Sequence, residues 1–271
     1  MEKSIKKTDV ARVRAVWDDF ARKYGLDSRA STPDAYLVDL ELRTLKKYIG
    51  NSGKLLDIGC GNGYAAINLA QKKAVEVVGV DISPEMITCA NQMLESYAGS
   101  LKGKVQFEIG NILSPSFAEH FGQNCFDTVL TKRTLINVLS WSEQKEVITK
   151  ILHLLKPKGN YIMMEATVQG YENTNRLRER FKIPRTSIRW HNNYLDEEKL
   201  FPFLNESFDI ICIRNFSSTY YIGSRVIQPL ILRPFKKEST YDFFLNRIFS
   251  YLPSIGNYGI QKLSVCRKRE E

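Results

Sequence analysis

The chain has 271 residues, 43% of them hydrophobic and 25% charged, which excludes a disordered chain and leaves length for one large domain or two small ones. No run approaches the roughly 18 apolar residues of a membrane span, and the five cysteines lack the paired short spacing of a zinc site or a disulfide framework. The formal net charge of +9 fits plain solubility or an anionic partner (an acidic glycan, a phosphorylated metabolite, RNA, an anionic membrane face) and does not choose between them.

The first residues, "MEKSIKKTDVARVRAVW", are basic without the apolar core of a secretory signal, so a cytoplasmic protein with reduced thiols is expected. Residues 8–24 read as a helix, because Val10, Val13, Trp17, Phe20 and Tyr24 recur at three- and four-residue steps. A second helix follows "STPD", with Ser31 or Thr32 as its cap and Pro33 in its first turn. The rhythm then changes. "KLLDI" reads as a strand, 62–72 as a helix and "EVVGVD" as a strand. "SPEMITCANQMLESYA" is a helix capped by Ser83 with Pro84 next. "KVQFEIG" and "FDTVLTK" are strands, "SEQKEVITKILHLL" is a helix closed by "KPKG", and "NYIMMEAT" is a fifth strand. After residue 167 a polar, Arg-rich segment runs to about 205. Two more strands, "SFDIICIRNF" and "YGIQKLSVCRK", bracket an aromatic, basic insertion at 217–258. The alternation predicts an α/β fold with a doubly wound, seven-stranded, mostly parallel sheet. Residues 1–53 are expected as an N-terminal helical cap and 54–271 as the main domain, with segments 168–205 and 217–258 covering the substrate side.

The glycine-rich turn after the first strand, "LLDIGCGNGYAAINLA", lies at the carboxyl edge of such a sheet, where open α/β folds bind ligands. From Gly61, "GNGYAA" fits a dinucleotide fingerprint, with Asp81 about 20 residues on for a ribose. Asp57 argues against a diphosphate there. At an effective dielectric near 20, like charges several ångströms apart cost roughly 2–4 kcal/mol. A ligand carrying an ammonium and a sulfonium gains from the same carboxylate, and S-adenosylmethionine (SAM) is such a ligand.

Together these stretches resemble the class I, Rossmann-like, SAM-dependent methyltransferases, of the small-molecule or sugar O-methyltransferase type. "LDIGCGNG" looks like their first motif. "VVGVDISPEMITCA" resembles the second, whose acidic residue, here Asp81, binds both ribose hydroxyls, with Ile82 beside the adenine. "EIGNIL" stands at the third. There Asn111 replaces the family's Asp and its amide oxygen can accept the adenine amino hydrogen bond, while Ile112 packs on the ring. "FDTVLTKRTLINVL" and "LLKPKGNYIMMEA" resemble the fourth-strand motif and the turn into the fifth strand. The resemblance implies SAM as cofactor and a donor site formed by Asp57, Gly59, Cys60, Gly61, Gly63, Asp81, Ile82, Asn111, Ile112 and Thr131. Cys60 reads as a small filler rather than a nucleophile.

The acceptor is expected over the ends of strands four and five, near Thr131, Arg133, Asn137 and Glu165. The sequence lacks the [DN]-P-P-[YF] of amino-methylating enzymes, the Pro-Cys of cytosine C5 enzymes and the acidic set of metal-dependent catechol enzymes. A metal-free O-methyltransferase of a saccharide or other acidic small metabolite remains, with an RNA methyltransferase and a non-catalytic SAM-binding module as alternatives. His191, in "RWHNNY", is the expected base, Glu165 its partner or substitute, and Arg133 either the grip on an acidic group or the partner of a nearby carboxylate such as Glu165. His120 and His153 read as structural, as does Asp127. The first helix resembles one that closes over SAM, with Trp17 and Tyr24 at the entrance. The 217–258 insertion is expected as a substrate lid or homodimer contact, and its composition also fits an anionic membrane surface.

Overall fold

The computed structural model describes residues 7–270. Two helices, α1 (Lys7–Tyr24) and α2 (Ala35–Tyr48), precede an alternation of strands and helices. These are β1 (Ser52–Ile58), α3 (Tyr64–Lys72), β2 (Ala74–Asp81), α4 (Pro84–Ser96), β3 (Lys104–Ile109), α5 (Phe117–Phe121), β4 (Phe126–Lys132), α6 (Trp141–Leu154) and β5 (Leu155–Ala166). There follow α7 (Val168–Arg180), α8 (Glu197–Ser207), β6 (Phe208–Arg214), α9 (Ser218–Ile222), α10 (Gln228–Leu232), α11 (Phe244–Tyr251) and β7 (Gln261–Lys268). A π-helical turn, Gly223–Ile227, joins α9 to α10.

The strands form one sheet in the order β3-β2-β1-β4-β5-β7-β6. Every pair from β3 to β5 is parallel, and β7 runs antiparallel between β5 and β6. This is the predicted doubly wound α/β sheet. Because side chains alternate across a strand, each central strand feeds two cores. Leu56 and Ile58 of β1, Val129 of β4 and Tyr161 of β5 pack on one face against Val147 and Ile151 of α6 and Leu200 and Leu204 of α8. On the other face Leu55, Leu130 and Ile162 meet Leu42 and Leu45 of α2 and Ala66 and Leu69 of α3. A smaller cluster joins Leu37 and Leu40 of α2 to Tyr220, Tyr221 and Ile260.

Local details depart from expectation in three places. Asp34, not Ser31 or Thr32, caps α2, its carboxylate accepting from Leu37 N at 3.2 Å. The "KPKG" stretch is already part of β5, which begins at Leu155 and passes through Lys158 at φ 62°. The loosened region from 168 onward contains α7 and α8, whose pattern Pro202 and a run of charged residues obscure.

Candidate active site

β1 is flanked by β2 on one side and β4 on the other, so the loops leaving these strands part around a crevice. The crevice opens into a cavity of about 1170 Å³. Its floor is the loop Gly59, Cys60 and Gly61. Asp81 and Ile82 follow β2, Asn111 and Ile112 follow β3, and Lys132, Arg133, Thr134 and Asn137 follow β4. Val38, Glu41 and Leu42 of α2 form a side wall, and Val13 and Trp17 of α1 close over it.

The glycine loop is built by hydrogen bonds to its neighbours. Gly59 N and Cys60 N both donate to Val80 O, at 2.7 and 3.1 Å. Gly61 N donates to Asp81 Oδ2 at 2.9 Å, and Ser83 N donates to the other carboxylate oxygen at 2.9 Å. Gly61 adopts φ +56°, and a β-carbon there would meet no atom within 4 Å, because it would stand in the cavity. Gly63 differs. It does not line the cavity, and its missing side chain leaves room for the Phe107 ring, 2.4 Å from where a β-carbon would sit. Its expected place in the donor site is therefore replaced by a packing role at the start of α3. Cys60 lines the floor, and burial first, then Asp81 and Asp57, hold its thiol well above the usual range, so it stays protonated.

Three acidic side chains surround this floor. Asp57 lies behind the wall, 1% exposed, with neither carboxylate oxygen partnered. Burial raises its carboxyl to about 6, with Lys132 opposing and Asp81 adding to the rise. Asp81 is raised for the same first reason, against the two backbone donors that stabilise its charge. Ser83, not Asp81, caps α4 by accepting from Met86 N at 3.1 Å, which leaves Asp81 facing the cavity. Glu41 is fully buried on α2, with Lys132 Nζ at 3.5 Å and Arg133 Nη2 at 3.2 Å from its Oε2. Asn111 also lines the cavity, and its Oδ1 already accepts from Leu113 N at 3.0 Å. The adenine hydrogen bond would use the second lone pair of that oxygen.

A family profile described as "Methyltransferase domain" matches residues 49–206, more than half of the chain. The chain belongs to this methyltransferase family. Its sheet and its glycine loop are those of the class I, SAM-dependent methyltransferase fold. Phosphoethanolamine N-methyltransferase 1 of Arabidopsis thaliana is 29% identical over 129 residues, covering 46% of this chain and 24% of that protein. The U6 snRNA methylphosphate capping enzyme Amus of Drosophila melanogaster is 24% identical over 200 residues, covering 69% of this chain and 65% of that one. The chain therefore spans less than two thirds of either relative. Among solved structures, a SAM-dependent methyltransferase from Methanosarcina mazei superposes with a TM-score of 0.55 at 20% identity, over 84% of this chain and 98% of that one. At that identity it speaks for the fold alone. The side chains present fit the cofactor: Asp81 suits a diol, the bare floor at Gly61 admits close approach, and Asp57, which does not itself line the cavity, sets an unpartnered carboxylate behind the floor that favours a cation in front of it.

In this methyltransferase the acceptor side differs from the sequence expectation. Thr131 is fully buried and shares a hydrogen bond of 2.9 Å with Tyr161 Oη. It does not line the cavity, because alternation along β4 sends Thr131 to the α6 face and Lys132 to the α2 face. Glu165 also falls outside the cavity. Its carboxylate accepts from the backbone N–H groups of Thr134 and Leu135, each at 3.0 Å, and of Ile136 at 3.4 Å. It braces the turn after β4 and does not pair with Arg133. Burial raises it to about 7, against these three donors. His191 is buried behind Trp17, with ring centroids 6.0 Å apart, and touches Trp190 on its other side at 5.5 Å. Burial, then Arg189, lowers its pKa, so the ring is neutral near pH 7, but Trp17 stands between it and the cavity. Tyr24 likewise lies off the wall, stacked near Phe20.

Arg133 does reach the cavity. It sits at φ 56°, an uncommon conformation for a side-chain-bearing residue, and its Nη2 donates to Ser31 Oγ at 2.8 Å. Its Nε and Nη1 are buried without a partner, as is Asn137 Oδ1 close by in the sequence. Lys132, Glu41 and Ser31 were not foreseen. Lys132 was findable from strand alternation; the other two depend on how α2 docks. Asn62 also matters: its amide donates to Gly25 O at 3.0 Å and Asp27 O at 2.9 Å, tying the chain after α1 to the glycine loop.

Proposed function

We propose that this enzyme methylates an oxygen of a small acidic metabolite, a phosphorylated compound or an acidic saccharide, held by Arg133 and Lys132. When bound, SAM supplies a methyl group on a positively charged sulfur. The observation that carries the reading is the pair of cations at the end of β4, of which Arg133 keeps two guanidinium nitrogens buried and unpartnered beside the cavity. A guanidinium with unused donors is suited to a carboxylate or phosphate oxygen. Asn137, on the same wall, offers an acceptor for a hydroxyl proton.

With His191 behind Trp17 and Glu165 occupied by backbone N–H groups, the described cavity wall carries neither expected base. An acceptor oxygen that is already ionised needs none. What remains for the protein is proximity and alignment, which alone account for a large part of the rate in bimolecular transfers. The phosphate-bearing acceptor named for the Arabidopsis relative supports an acidic substrate. The scheme places Asp81 on the donor ribose, Asn111 and Ile112 around the adenine and the Gly59–Gly61 floor under the methionyl chain, in a cytoplasmic enzyme.

The test is Arg133→Ala, read by calorimetry and by mass-spectrometric turnover on an extract of acidic metabolites. SAM affinity should stay within a few-fold while turnover falls at least a hundredfold. Loss of SAM binding instead would assign the guanidinium to the donor carboxylate and remove the basis for an acidic acceptor. His191→Ala should turn over nearly normally.

A second reading, methylation of RNA, is supported by the similarity to the Drosophila capping enzyme and by the net charge of +9. It requires RNA affinity that falls steeply with salt, since phosphate contacts release counterions.

A further inference from the structure

In the 217–258 insertion, α11 is apolar on both sides, with Leu245 and Phe249 turned inward beside Asn246 and Ser250. Asn246 and Ser250 are buried, whereas Phe244, Ile248 and Tyr251 are 66%, 51% and 60% exposed. These three recur at four- and three-residue steps, so they share one face. Leu252 and Ile255 continue the apolar surface past the helix end, and Phe235 lies exposed before it. This docking is fixed by specific contacts. Asn246 Nδ2 donates to Thr240 O at 3.2 Å and Tyr241 O at 3.1 Å. Arg43 Nη2 of α2 donates to Ser250 O at 2.7 Å and its guanidinium lies 4.0 Å from the centre of the Tyr251 ring. Gly223 makes room for Phe249, whose ring would stand 2.1 Å from a β-carbon there.

Cations accompany this surface. Arg233, Lys236, Lys237 and Arg247 are all exposed, against Glu238 and Asp242 in the same stretch. Apolar side chains facing outward among lysines and arginines are the surface that an anionic bilayer takes up: the chains enter the acyl boundary and the cations meet lipid phosphates. Among the described residues no helix is long and apolar enough to cross a membrane, so such a contact lies in the interface plane. A second copy of the chain fits less well, because a two-fold contact sets the four cations against themselves. RNA fits less well too: Phe235, Phe244 and Tyr251 could stack on bases, but Ile248, Leu252 and Ile255 among them could not, and would stay against water.

We propose that the α11 face of the insertion seats this protein peripherally on anionic membrane surfaces. Because α11 packs on α2, whose other side lines the methyltransferase cavity, the site would then lie one helix away from the bilayer. The proposal does not depend on the acceptor being acidic. The full chain with SAM would be sedimented with vesicles of equal parts phosphatidylglycerol and phosphatidylcholine, and with phosphatidylcholine alone. Partitioning to the anionic vesicles is expected, with little to the neutral ones and a decline as salt rises. Lys236→Gln with Lys237→Gln should lower it about 25-fold, at about fivefold per cation. Phe244→Ser with Ile248→Ser and Ile255→Ser should lower it at least tenfold, with SAM uptake and denaturation midpoint unchanged because these side chains are exposed. Equal binding to both vesicle types, binding to neither, or a dimer in sedimentation velocity that the apolar triple variant abolishes would each overturn the proposal.

Discussion

Replacing Asp57 by Asn isolates the electrostatic cost of the donor site. Burial raises this carboxyl from 3.8 to about 6, with Lys132 the opposing charge. That displacement corresponds to about 3 kcal/mol. A folded-state pKa above the unfolded value means that the native state holds the proton more tightly. The contribution is therefore fully present below about pH 4 and is lost as pH rises through about 6. Asn does not titrate, so the stability difference between variant and parent should move by about 3 kcal/mol in the variant's favour between pH 4 and pH 8. The amide brings its own constant cost, since a buried unpartnered amide is unfavourable at every pH, and only the pH-dependent part is diagnostic. Urea unfolding of the ligand-free protein at several pH values measures it. Calorimetry should show SAM binding at least tenfold weaker in the same variant, because a carboxylate that is costly when unpaired is relieved by a bound cation. A stability difference that does not change with pH would refute the reasoning.

Other substitutions separate packing from binding. Gly61→Ala should cost about 1 kcal/mol from its positive φ yet abolish measurable SAM uptake, because the added carbon enters the cavity. Gly63→Ala should do the reverse in proportion, destabilising by about 2 kcal/mol or more as the carbon meets Phe107; loss of SAM binding with full stability would contradict the placement. Glu165→Ala orphans three backbone donors and should cost on the order of 3–5 kcal/mol in denaturant unfolding. Glu165→Gln, which keeps an acceptor oxygen, should recover much of that stability and retain turnover, whereas turnover lost with stability intact would restore it as a proton-transfer group.

The sheet was legible because its signals are local. Each strand is a short apolar run, each helix has its period, and Ser83 and Pro84 mark α4 by the usual cap chemistry. The donor loop was legible for a related reason: glycines, Asp57 and Asp81 belong to one strand–turn–helix–strand unit, whose geometry is fixed by its own backbone. Errors begin where a side chain's role depends on a partner distant in sequence. Whether Ser31 or Asp34 caps α2 turns on Tyr220 and Arg225, both of which bond to Asp34 from the far insertion. A carboxylate at a strand end looks the same in sequence whether it takes a substrate proton or, like Glu165, three backbone donors from 29 to 31 residues away.

The same distinction explains the split between donor and acceptor. Donor recognition uses residues that the fold places automatically, so the sequence pattern carries it. In the proposed function, acceptor recognition rests on Arg133 and Lys132, whose free donors are defined by how much of their capacity Glu41 and Ser31 consume. Only one guanidinium nitrogen of Arg133 is used by those partners, and the two left over are buried without a partner in a residue that lines the cavity. Buried donors without partners are costly, and a fold that retains them beside a ligand cavity places its specificity there. Nε and Nη1 lie on different edges of the guanidinium, so each needs an acceptor atom of its own, and in the proposed function an acidic acceptor supplies one of them.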